Sequence, residues 1–158
     1  MDELKQLSLE AACGNRAAAD YLVQIVEALH LWDDLIDKDQ KITDARINSV
    51  FIHLLTELPR NPFFIQHALI LTPVTLMAIQ NWHVATQAER AAKPAVALEI
   101  AFVLRSSYVD LVGLVATLCG GYEHGIDVQT RVRALAHSEG MPQYLINLAN
   151  EKLSRSKE

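Results

Sequence analysis

The thirteen residues Glu27-Ala-Leu-His-Leu-Trp-Asp-Asp-Leu-Ile-Asp-Lys-Asp39 constrain the fold of this chain most, because they set four aspartates in a segment that otherwise reads as helix core. On a helix of about 3.6 residues per turn, positions three, four and seven apart share a face. Glu27, His30, Asp34 and Asp37 therefore form one stripe, with Asp33 beside it, while Leu22, Ile25, Val26, Leu29, Trp32 and Ile36 fill much of the remaining surface. Unpaired carboxylates among apolar neighbours are costly, and a cation lowers that cost. The acids also sit at the C-terminal end of the predicted helix, where the macrodipole disfavours negative charge. A divalent metal beside these acids would remove both conflicts, so the stripe predicts a metal site. The plainer alternative turns Asp34, Asp37 and Asp39 to solvent and pairs Asp33 with an Arg or Lys.

Helical punctuation continues along the chain. The first helix runs from about Asp2 to Cys13 with Gly14 as its stop, and the acidic helix runs from Arg16 to about Lys38 behind an Asn15 cap. Thr43 caps a third helix, Asp44 to about Leu58, and Pro59 ends it. Asn61-Pro62 opens a fourth that reaches about Arg90, with Pro73 expected to kink or divide it. Pro94 opens a fifth, to about Cys119, in which Glu99, Ser106, Asp110, Gly113 and Thr117 recur at helical spacing as a second polar stripe. Ser106-Ser107 reads as a pair of small packing residues within it. After Gly120-Gly121, one helix ends near Gly140 and a last begins at Met141-Pro142 and runs to about Leu153. No repeat or low-complexity linker interrupts, which predicts a single all-α domain over residues 1–158, a bundle of six to seven helices.

Composition narrows the functional classes. Half the residues are hydrophobic but only 6% are aromatic, and a formal charge of −5 gives no attraction for nucleic acid or anionic lipid. The most apolar run, Ala68 to Ile79, is shorter than a bilayer and contains Pro73, so it is expected in the core. No membrane is expected as a partner. Cys13 and Cys119 lack the spacing of a zinc or redox pair, and the N-terminus lacks the pattern of a signal peptide, so the expectation is a cytoplasmic protein. Six scattered histidines give only one Glu-x-x-His match, Glu27 to His30. His30 is kept for its place in the stripe and His124 for its position after the Gly-Gly break. Trp32 and Trp82 read as core anchors.

Asp33-Asp34-Leu35-Ile36-Asp37 reads Asp-Asp-x-x-Asp, and with His30 and Trp32 before it the segment resembles the first aspartate-rich motif of class I isoprenoid synthases. The resemblance covers about a dozen residues, less than a tenth of the chain. It implies a reduced isoprenoid-synthase-like fold in which Asp33, Asp34 and Asp37 face magnesium, or manganese, that grips a diphosphate-containing small molecule. The chain has no second Asp-Asp-x-x-Asp, so the resemblance would make the helix carrying Glu99 and Asp110 the second metal-facing one. Glu27 and His30 would face a cavity with the three aspartates and Asp110, Arg105 would contact phosphate, and Glu99 and His124 would stand at the substrate or behind the metal ligands.

Two functional classes follow. One is a metal-binding protein acting on a diphosphate. The other is a non-catalytic structural or assembly protein, a homo-oligomer whose polar stripes make contacts between helices or subunits.

Overall fold

A computed structural model describes residues 2–38, 40–91 and 95–155, and every secondary-structure element among them is helical. Helix α1 (Asp2–Ala11) leads through Gly14 into α2 (Arg16–Asp37), and α3 (Asp44–Ile52) continues as a π-helical turn (His53–Glu57) and a 3-10 turn (Leu58–Arg60). Then come α4 (Pro62–Arg90), α5 (Ala95–Leu104), α6 (Tyr108–Gly120), α7 (Tyr122–Ala136) and α8 (Gly140–Arg155). Asp39 of the expected turn and Pro94 of the expected fifth start lie outside the described residues.

The helix starts use the side chains their positions predict. Asn15 accepts from the Ala18 amide at 3.2 Å and Thr43 from the Arg46 amide at 3.3 Å. Asn61 does more: its Oδ1 accepts from the Phe64 amide at 3.0 Å while its Nδ2 donates to the Ala17 carbonyl at 2.8 Å, fastening the start of α4 to the start of α2.

The core gathers around α2 and α6. Tyr21, Leu22, Ile25 and Val26 of α2 meet Val109, Leu111, Val112, Val115 and Ala116 of α6, closed by Val128 and Val132 of α7 and by Phe63 and Leu71 of α4. Helices α6 and α7 approach through glycine: a Cβ on Gly125 would lie 1.9 Å from Thr117 Oγ1, and one on Gly113 would lie 2.6 Å from Gln129 Oε1.

Three expectations are corrected. The fifth helix is two, because Ser106 Oγ donates to the Val103 carbonyl at 3.0 Å and Ser107 Oγ to the Leu104 carbonyl at 2.7 Å, bonds that compete with helix continuation. Pro73 does not divide α4. Its cost is limited by position, since the Leu69 carbonyl that loses its donor belongs to a residue 93% exposed, where water can replace the bond. Finally, the run Ala68 to Ile79 is mostly surface: Leu69, Ile70, Leu76 and Met77 are exposed, and only Leu71 and Ala78 are buried. Apolar content alone did not place it. Both α4 and the stretch Val96–Gly120 are long and apolar enough to cross a membrane, by length and composition only.

Candidate functional site

The acidic end of α2 meets the last turn of α4 and the residue that follows α5. Three helix C-termini bring their partial negative charge to one place, and the side chains that answer them are guanidiniums. Arg105 is at the centre. Its Nη2 donates to Asp33 Oδ1 at 2.9 Å and also to Asp37 Oδ2, while its Nη1 donates to Glu89 Oε2 at 2.6 Å. The helix break at Ser106-Ser107 sets Arg105 at the end of α5 rather than within a longer helix.

Around this centre the other polar groups are also engaged. Trp82 Nε1 donates to Asp33 Oδ1, and the Arg105 guanidinium lies 5.4 Å from the Trp82 ring centre. Tyr144 of α8 donates to Glu89 Oε1. Arg90 donates to the Ile36 carbonyl at 3.1 Å and stands 3.6 Å from Asp37 Oδ1. Asp34 turns away from the others, accepting from Arg46 Nη1 of α3 at 2.7 Å and from Gln40.

Burial makes this pairing obligatory. Asp37 and Glu89 are each only 2% exposed, and an ion so far from water must be matched by an opposite charge and by hydrogen bonds. Burial alone would lower the Arg105 pKa, but Asp33, Glu89 and Asp37 together raise it above its ordinary value. Asp33 is pushed up to about 6, chiefly by burial, with Asp37 adding to the rise and Arg105 and the Trp82 hydrogen bond opposing it. Burial, and then the bond to Glu89, raises the Tyr144 phenol, which therefore stays a donor.

The expected site residues separate into several places. Asp33, Asp37 and Arg105 come together, but as an ion-pair cluster; Arg105 binds carboxylates of its own chain. Asp34 belongs to a second cluster with Arg46. Glu27 and His30 line a groove of about 1080 Å³ between α2 and α3, shared with Arg46, His53 and Glu57. Glu99 is exposed on α5, and Asp110 is exposed on α6, where it accepts from Arg133 and, at 2.7 Å, from Gln129 of α7. His124 contacts the Ala11 carbonyl at 3.1 Å, packing α7 on α1.

The carboxylates do not fit magnesium as they are arranged. Each bonds to a guanidinium, Asp34 faces other partners than Asp33 and Asp37, and no group of three or more His, Cys, Asp or Glu among the described residues could hold a metal ion. The plainer alternative is half realised. Asp33 pairs with Arg105, but Asp34 and Asp37 are buried rather than turned to solvent. Sequence reasoning missed Glu89, Arg90, Arg46 and Tyr144, and took Trp82 only as an anchor. One signal was available: Glu89 is the first charged residue of α4 after 27 uncharged ones, Pro62 to Ala88.

Compared with protein-family models, with curated proteins and with solved structures, the chain matches none.

Proposed function

We propose that the chain is a non-catalytic helical assembly protein that pairs with a second copy of itself through the outer face of α4. The observation that carries this reading is the chemistry of that face. Ile65, Leu69, Ile70, Leu76, Met77 and Val84 are exposed along it, and no Asp, Glu, Lys or Arg occurs from Pro62 to Ala88. Charge depletion with exposed aliphatic and methionine side chains is the composition of an interface centre.

Area supports the same reading. The chain exposes 9360 Å², whereas a compact monomer of 17.6 kDa exposes about 7,900 Å². The surplus of about 1,400 Å² exceeds the roughly 800 Å² that one partner buries in an interface of standard size. A second copy supplies an identical uncharged surface, and a two-fold pairing closes without leaving a sticky edge.

A lipid bilayer is the competing occupant, since α4 has sufficient length and apolar content. The exposed positions of α4 also include Gln66, Thr72, Gln80, His83 and Gln87. Beyond the Gln87–His83 contact, such side chains can bond across a protein interface but find no partner among lipid tails. Sedimentation velocity of the full chain without detergent tests the reading: a concentration-dependent dimer is expected. A monomer at every concentration would overturn it, as would a chain that stays with the membrane fraction and dissolves only in detergent.

A further inference from the structure

The exposed face of α4 has a period of its own. Gln66, Leu69, Pro73, Leu76, Gln80 and His83 are all exposed and follow one another at alternating steps of three and four residues. Two inward positions in every seven is the seam along which helices lock side by side.

Polarity changes along this seam. Between Gln66 and Gln80 it is Leu69, Pro73 and Leu76, and beyond Gln80 comes His83. An antiparallel pair centred between Pro73 and Leu76, the register with most overlap, sets Leu69 of each copy against Gln80 of the other and Gln66 against His83. Moving one heptad either way sets Leu76 against Gln80 or against Gln66. An amide buried on leucine loses water without gaining a partner. A parallel pair in register instead sets leucine on leucine and glutamine on glutamine, whose amides can bond to one another. Polar seam residues fix register in coiled coils by the same means.

The parallel arrangement also sets His83 against its own counterpart. Within the chain its Nε2 contacts the Gln87 amide at 3.5 Å. Charges on α4 and on the elements packed against it are engaged elsewhere: Glu89 with Arg105, Arg90 with the Ile36 carbonyl and Asp37, Asp33 with Trp82 and Arg105, and Asp110 of α6 with Arg133. Arg60 of the 3-10 turn lies at the other end of α4, and Glu99, the one titratable residue of α5, is exposed.

We infer that two copies pair with their α4 helices parallel and in register, and that His83 facing its counterpart makes the pairing weaken as pH falls. The inference rests on self-pairing through α4 and adds its orientation and its control. Histidine changes charge between about pH 8 and 5, and two imidazolium rings side by side repel.

Disulfide trapping in the full chain tests the orientation. Gln66→Cys and Gln80→Cys occupy exposed positions about 21 Å apart along the helix. Each variant, checked for an unchanged melt, is oxidised with diamide as a dimer, and the linked peptides are mapped by mass spectrometry. Each should link to the same position of its twin. An antiparallel pair can bring only one point of a helix against itself, so linkage at one position alone, or at neither, overturns the parallel arrangement. Sedimentation equilibrium at pH 7.5 and 5.5 tests the control. The dimer Kd should rise about tenfold at the lower pH in wild type and stay unchanged in His83→Gln. An equal rise in that variant, or none in wild type, overturns the role of His83. A chain that is monomeric before any oxidation removes self-pairing itself and this inference with it, whereas a dimer that links in the wrong pattern removes the orientation alone.

Discussion

The end of α2 and the outer face of α4 reverse the usual distribution of polarity. At the first, Asp37 and Glu89 are buried; at the second, Leu69 and Met77 are bare. The buried acids are tolerable because Arg105 and Arg90 complete them within the chain. The bare aliphatics have no such completion. Polarity therefore predicts position only after partners are counted. A paired charge can be core, and an unpaired apolar face points to something outside the chain.

Removing the central cation should break the first region most severely. Arg105→Met leaves Asp37 and Glu89 buried without the guanidinium they share, and the expected loss is about 3–5 kcal/mol. For a chain of this size that lowers Tm by on the order of 10 °C, readable by circular dichroism. Arg105→Met combined with Asp37→Leu and Glu89→Leu should recover much of the loss, because the two buried carboxylates leave together with their guanidinium, while Asp33 and Arg90 keep contact with solvent. A single variant as stable as wild type would mean that water, not Arg105, solvates these acids.

Charging the second region tests its partner. Leu69→Lys with Met77→Lys should weaken dimerisation by about 30-fold, the effect of losing one central contact of roughly 2 kcal/mol. Sedimentation equilibrium reads the constant. The melt at a concentration where both forms are monomeric should change little, since both side chains already face solvent in the single chain.

A smaller effect separates Asp33 from its better-paired neighbours. Its folded pKa of about 6 lies above the unfolded value of about 3.9, so the folded state holds the proton more tightly. The stability linked to that proton is fully present below about pH 4 and is lost as pH rises through about 6. With the side chain 35% exposed, solvent screening reduces the expected effect to roughly 1 kcal/mol. Denaturant melts of wild type and Asp33→Asn between these pH values should therefore diverge. A constant difference across the window would contradict the raised pKa.

Much of the fold was legible in local chemistry. Asn15, Thr43 and Asn61 marked three helix starts because a cap is an interaction within four residues. The site was legible only in part. The conflict at Asp33, Asp34 and Asp37 could be read, since it depends on one helix, but its resolution could not. Glu89, Arg90 and Arg105 lie more than fifty residues downstream, and nothing in their own segments says that three helix ends meet. The exposure of Leu69 was hidden for a related reason: an apolar helix looks the same whether its own chain or another molecule covers it.

The smallest expected effect is none at all, and it decides between guanidinium and metal as the answer to the acidic stripe. A ligand that binds the folded state raises Tm in proportion to its affinity and concentration. Magnesium would have to displace Arg46 from Asp34 and Arg105 from Asp33 and Asp37, exchanging bonds already made for new ones while leaving guanidiniums without partners. Magnesium or manganese, with or without pyrophosphate, should therefore leave Tm unchanged in differential scanning fluorimetry. A rise that grows when pyrophosphate is added and vanishes in Asp34→Asn would show that the carboxylates can exchange their guanidiniums for an ion. The comparison would then change its meaning: the buried end of α2 would be as incomplete as the face of α4, its arginines only the resting partners of a site that opens to diphosphate.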